Sequence, residues 1–187
     1  MKQCFVDLET TGLDPRTAAI IQIGVIVADE DILRTKWSTN VKPHAGAEID
    51  ANALEITGTI KEELDTFLDP KIVYNRLFRL LSTIVNKYDK SDKMMFVGYN
   101  ARFDMDFLRE FFIRNGDKFF GSYFWFPPID VMNLAAEYLK HERNRMDNFK
   151  LDTVLKRFEI SRSTDTHDAM EDIELTHKLY NKLKRVV

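Results

Sequence analysis

The sequence predicts an α/β fold in which a mixed central β-sheet is flanked by helices. Three observations predict it. Three strand-like segments open the chain, separated by turns. From residue 70 onward, helical and strand-like patterns alternate, the arrangement that builds a sheet covered by helices. Apolar residues make up 44% of the 187, with 14 phenylalanines, so the chain can bury a sizeable core and is too aromatic for disorder.

Residues 3–9 read as the first strand, closed by the turn Gly12-Leu13-Asp14-Pro15. The run Ile20 to Val27 is apolar enough for a central strand. Arg34 to Lys42 suits a third strand ended by Pro43, and residues 43–58 an ordered loop with a short helix. Asp69-Pro70 opens a helix, because Asp69 can cap it and Pro70 suits its first turn. Val73, Leu77, Leu80, Leu81, Ile84 and Tyr88 continue that helix at apolar spacing. Met94 to Gly98 is a short strand. The helix after it carries Phe103, Phe107 and Phe111 and ends at Asn115-Gly116. Pro127-Pro128-Ile129-Asp130 reads as a strand entry, with a helix over 131–140 and Asp130 as local support. Leu151, Val154, Leu155 and Phe158 mark another helix. Ala169, Ile173, Thr176, Tyr180 and Leu183 form one face of the last.

Several classes are excluded or disfavoured. No apolar stretch reaches the roughly 20 residues of a membrane span, and Asp7 interrupts any signal-peptide core. The single cysteine, Cys4, excludes an intrachain disulfide framework and a cysteine zinc cage. With no repeat, low-complexity segment or linker, the expectation is one domain over residues 1–187, cytoplasmic and without a membrane partner. The net charge of −3 gives no basic footprint of the whole molecule.

The chemistry-bearing residues are acids. Asp7 and Glu9 are two apart on a strand, so both carboxylates share a face while Val6 and Leu8 point behind them. Like charges side by side repel, and a bound cation is the usual remedy. Hard oxygen ligands select Mg²⁺ or Mn²⁺ over zinc. The plainer alternative is an edge strand with two solvated acids. Asp104 falls in the first turn of a helix that follows a strand, where ligand sites of α/β sheets gather, although an acid there also suits the helix dipole. His167-Asp168-Ala169-Met170-Glu171-Asp172 is the third cluster. A five-residue separation is about 140° of helix rotation, which suits His167 at a helix mouth and Asp172 one turn in. Asp168, Glu171 and Glu174 read as exposed acids.

In order and spacing, three segments resemble the DEDDh branch of the DnaQ-like 3′→5′ exonucleases. They are Phe5 to Leu13, Tyr99-Asn100-Ala101-Arg102-Phe103-Asp104, and His167 to Asp172 with its H-x-A-x-x-D pattern. The likeness runs from Phe5 to about Leu183. It implies a ribonuclease H-like fold and two divalent cations, Mg²⁺ or Mn²⁺. By resemblance, Asp7 bridges both ions, Glu9 and Asp172 complete one site, Asp104 holds the other, and His167 is the general base. The resemblance further implies nucleoside 5′-monophosphate products and recognition of a free 3′-hydroxyl by Glu9 and the backbone near Thr10. Thr10, Thr11, Gly12, Leu13, Ile56, Asn100 and Phe103 become candidates for binding the nucleic-acid 3′ end, with Leu13 and Ile56 against the terminal base. The run Glu55-Ile56-Thr57-Gly58 is similar to one in Trex-type DNA exonucleases and tilts the expected substrate toward single-stranded DNA over RNA.

The stretch 140–162 holds Lys140, Arg143, Arg145, Lys150, Lys156, Arg157 and Arg162 against four acids. It is either a lane for phosphates or a solvated face. His44, His141 and His177 carry no motif, and Trp37 and Trp125 read as packing. The length leaves no room for a polymerase, so proofreading would need a separate DNA polymerase partner. Two alternatives stay open: an exoribonuclease of the same fold, and a non-catalytic nucleic-acid or polymerase-binding module.

Overall fold

Side-chain alternation puts strand β1 (Lys2–Thr10) between two layers. Cys4, Val6 and Leu8 face one core and Phe5 the other. The computed structural model describes residues 1–30, 32–164 and 166–184. β1 pairs antiparallel with β2 (Ile20–Asp29), which pairs antiparallel with β3 (Ile32–Asn40). On its other side β1 runs parallel to β4 (Met94–Gly98), and β4 runs parallel to β5 (Phe124–Asp130). The order β3-β2-β1-β4-β5 is the mixed sheet the sequence predicts.

The helices cover both faces. Helix α1 (Ala51–Thr57) is the short helix expected in the 43–58 loop. Helices α2 (Pro70–Ile84) and α3 (Ala101–Arg114) pack on the Val6 side, where Tyr74, Leu77, Phe112, Tyr123 and Phe124 meet. Helices α4 (Val131–Tyr138), α5 (Leu151–Arg157) and α6 (Ala169–Leu183) cover the Phe5 side. Asp69 caps α2, accepting the Lys71 N–H at 2.8 Å, with Pro70 in the first turn. Among the described residues no helix is long and apolar enough to cross a membrane.

Several boundaries differ from expectation. β3 starts and ends two residues earlier, because β2 and β3 pair from Asp29 opposite Ile32, while Val41 leaves to bridge Leu68. Tyr88 is not on the α2 stripe. The backbone turns extended at Val85, the Lys2 ammonium bonds the Ile84 carbonyl at 2.6 Å, and Tyr88 is left 86% exposed. Pro127 and Pro128 lie inside β5 rather than at its entry, which an edge strand tolerates because its outer N–H groups need no partner. α4 stops at Tyr138, and Lys140–Arg145 forms a 3₁₀ turn.

Candidate active site

One close approach positions the site. Asp7 lies opposite Gly24 in the β1–β2 ladder. A Cβ on Gly24 would stand 2.3 Å from the carbonyl oxygen of Ala169, so the first turn of α6 rests directly on β2 there. Gln22 fastens it. Its amide donates to Asp168 Oδ2 at 2.8 Å, and its carbonyl oxygen accepts the Ala169 N–H at 2.8 Å. Asp168 is the N-cap of α6, accepting the N–H groups of Met170 and Glu171. Glu171 accepts bonds from Ser163 and Thr164, and Glu174 pairs with Lys36 at 2.7 Å. These three acids are therefore half-buried and engaged, not the free surface acids expected.

His167 precedes the cap, outside the helix, with its N–H on the Ile56 carbonyl at 3.2 Å. From there its Nδ1 reaches Asp172 Oδ2 at 2.8 Å. The contact fits the expected helix-mouth placement, and a helical His167 would have been rotated away. Asp104 comes from the opposite layer. The chain turns sharply after β4 through Asn100, at φ 60°, whose N–H is held by Asp130 at 3.0 Å. Asp104 then accepts the Leu8 N–H at 3.0 Å, between Asp7 and Glu9 in sequence.

The electrostatics of the cluster are those of carboxylates crowded away from water. Burial raises the Asp7 carboxyl well above the ordinary range, and the charges of Asp104, Asp172 and Glu9 add to it. Burial and the neighbouring Asp172 push Glu9 to about 7. Asp104 is raised by burial, against the Leu8 hydrogen bond. The Asp172 hydrogen bond raises His167. Ligand atoms of Glu9, His167 and Asp172 lie within 4.8 Å of one another. A set of hard oxygens whose mutual repulsion a cation would relieve fits a divalent ion such as Mg²⁺ or Mn²⁺.

Beside the acids runs a cleft of about 220 Å³ lined by Glu9, Gln22, Asn40, Gly58, Thr166 and His167 among others. Leu13 is 85% exposed and Ile56 56%, so neither is a core residue. Asn100 is exposed, and Phe103 is half-buried against Phe107, ring centroids 4.7 Å apart. Thr10 is buried, and its hydroxyl donates to the Gly12 carbonyl at 2.8 Å, fixing the turn that presents Leu13. Thr11 is fully buried, its hydroxyl bonds Glu48 and Ala19, and its N–H and carbonyl bond Ala19 and Asp50. These bonds shape the loop that carries Gly12 and Leu13.

Three cations of the basic stretch are engaged by acids. Lys140 pairs with Glu137 and Arg157 with Glu142, while Arg162 lies against Asp152, Glu171 and Asp172. Arg162, Gln22 and Gly24 belong to the site and carry no motif. Their roles arise from contacts far apart in sequence.

The fold is that of the ribonuclease H-like α/β proteins. The chain matches the RNase T family, described as exonuclease, over residues 4–180, and it belongs to that DnaQ-like exonuclease family. It is 33% identical over 186 residues to the 3′-5′ DNA exonuclease Cap18 of Escherichia coli, covering 97% of this chain and 90% of that protein. It is 29% identical over 175 residues to a PolC-type DNA polymerase III of Thermotoga petrophila, covering 94% of this chain but 11% of the polymerase. A ribonuclease T of Hahella chejuensis is 33% identical over 139 residues, 70% of this chain and 62% of that enzyme. Among solved structures, E. coli exonuclease I in complex with a dT13 oligonucleotide superposes with a TM-score of 0.78 at 22% identity, over 98% of this chain and 41% of that one.

Proposed function

We propose that this chain is a 3′→5′ exonuclease that removes nucleotides one at a time from the 3′ end of nucleic acid, with single-stranded DNA favoured over RNA. The observation that carries the reading is the convergence of Asp7, Glu9, Asp104 and Asp172, from three separate segments, beside His167. A cluster in which buried acids outnumber the cations beside them is costly to hold without a function.

Two divalent cations, Mg²⁺ or Mn²⁺, would be held by those four carboxylates and would supply positive charge to the phosphate and to the attacking and leaving oxygens. His167 moves the proton. With Nδ1–H donated to Asp172, Nε2 presents its lone pair and can take a proton from the attacking water. The water oxygen bonds to phosphorus, the bond from phosphorus to the 3′-oxygen breaks, that oxygen takes a proton from solvent as it leaves, and His167 returns its proton to solvent. The products are a nucleoside 5′-monophosphate and a strand one residue shorter. Leu13 and Ile56 bracket the last base, and Phe103 and Asn100 line its approach. Glu9 and the Thr10 backbone recognise the 3′-hydroxyl.

Similarity to Cap18 over nearly its whole length supports DNA as substrate. Similarity to ribonuclease T supports an exoribonuclease as the second reading. The PolC-type relatives support work beside a DNA polymerase. The buried free thiol of Cys4 suits a reducing compartment, and we place the protein, as a single catalytic domain, in the cytoplasm. Digestion of end-labelled single-stranded DNA, duplex DNA and RNA side by side, with Mg²⁺ or Mn²⁺ and with EDTA, tests the reading. Metal-dependent release of 5′-mononucleotides, fastest from single-stranded DNA, is expected. Absence of release from every substrate overturns it, and fastest release from RNA selects the second reading.

A further inference from the structure

Both oxygens of Asp172 are taken. His167 Nδ1 lies 2.8 Å from Oδ2, and the Arg162 guanidinium is paired with Oδ1 through Nη1. Arg162 is no surface side chain. It is 12% exposed, against 5% for Asp172. Its Nε donates to Asp152 at 3.0 Å, and Nη1 lies 3.6 Å from Glu171. Its charge reaches further into the cluster, opposing the rise of both Asp7 and Glu9. Among the described residues Nη2 is buried without a hydrogen-bond partner, and Nη1 and Asp172 Oδ1 have none besides their ionic contact with each other.

We propose that Arg162 is a built-in counter-cation that competes with the divalent ion for Asp172 and so sets how tightly the site holds metal. The inference rests on the metal-dependent reading of the acid cluster. A guanidinium stays charged at all working pH values, so while it sits on Asp172 it neutralises that carboxylate at any working pH. A divalent ion arriving at Asp172 meets a like charge already in contact with its ligand, and inside the protein that repulsion is poorly screened. The tether keeps the competitor at a high local concentration. There is also somewhere for it to go. Arg162, Asp152, Lys156 and Ser163 help line a cavity of about 510 Å³, so a displaced guanidinium can keep its bond to Asp152 while releasing Asp172. In this arrangement Arg162 stabilises the acid cluster when metal is scarce and weakens metal binding when it is present.

The test is isothermal titration of Mn²⁺ into the EDTA-stripped full chain at low ionic strength, beside thermal melts without metal. Arg162→Gln should bind Mn²⁺ roughly tenfold or more tightly than wild type, the size of a contact charge term in a protein interior, and should melt at a lower temperature when stripped. Arg162→Lys, which keeps the charge, should stay nearer wild type. If the glutamine variant does not fold, Arg162→Met, which keeps the apolar stem, takes its place. Mn²⁺ affinity that is unchanged or weaker in the folded neutral variant overturns the proposal, as does equal tightening in the lysine variant. Failure of the wild-type chain to bind Mn²⁺ at all would instead overturn the metal-dependent reading on which it rests.

Discussion

Helix α3 has a buried acid near each end. Past its C-terminus, Asp117 accepts the Tyr74 hydroxyl and the Phe119 N–H, each at 2.7 Å, inside an aromatic cluster. In its first turn, Asp104 accepts the Leu8 N–H and otherwise stands among the charges of Asp7, Glu9 and Asp130. Burial alone does not separate the two. Partners do. At Asp117 the protein supplies donors enough to make the carboxylate part of the core. At Asp104 burial drives the carboxyl well above its ordinary range, and the neighbouring acids Glu9 and Asp130 add to the rise where donors would have opposed it. A buried charge that the fold leaves unanswered marks a candidate ligand site.

Replacing each acid should separate these roles. Asp104→Ala should abolish nuclease turnover while leaving the metal-free fold as stable as wild type or more so, because repulsion is relieved. Asp117→Ala should leave turnover per folded molecule near wild type and cost about 1–3 kcal/mol of stability by orphaning the Tyr74 hydroxyl and Phe119 N–H. Rates measured beside urea melts decide it. Equal loss of activity in both variants would break the comparison.

His167→Ala should lose roughly 10²–10⁴-fold in rate, the range of general acid–base catalysis, and still bind Mn²⁺ through the four carboxylates. Single-turnover rates against pH provide the check, and an unchanged rate removes His167 from the chemistry.

Titration sharpens the contrast. The folded protein holds protons on Asp7, Glu9 and Asp104 at pH values where the unfolded chain has released them. Their contribution is therefore full below the ordinary carboxylate range and is lost as pH rises, for Glu9 through about 7. The raised His167 acts in the same direction. In EDTA the melting temperature should fall between pH 5 and 8. The fall should be shallower in Asp104→Ala, and Mg²⁺ should restore the loss most at the upper end. A metal-free stability that falls as steeply with pH in Asp104→Ala as in wild type would contradict the crowding described for this end of α3.

The smallest effect is expected outside the acids. Leu13→Ala and Ile56→Ala should weaken 3′-end binding roughly tenfold, within the range of face-on base contacts, with no gain in base preference and no change in melting temperature. Both side chains are mostly exposed, so a loss of activity accompanied by unfolding would show that they pack rather than bind.

Features governed by short-range periodicity were legible in the sequence. Two-residue alternation put Asp7 and Glu9 on one face of β1 with Val6 and Leu8 behind. Capping chemistry set the start of α2 at Asp69-Pro70, and helical spacing gave the buried face of α6. These follow from backbone sterics and local hydrogen bonds, which act within a few residues. The local signal fails where a distant group intervenes. Lys2 reaches the end of α2, 82 residues away, and the helix stops before Tyr88. The site depends on such contacts throughout. Asp104 is set by an N–H 96 residues earlier, and the mouth of α6 by a glutamine 146 residues before Asp168. Arg162 read as one of seven cations in a basic stretch, and only the tertiary structure shows that it lies against Asp172. Residue types and local spacing nominated the acids and the histidine. The tertiary structure decided which charges touch, because contact between distant segments depends on how closely whole elements pack, and no local pattern encodes that distance.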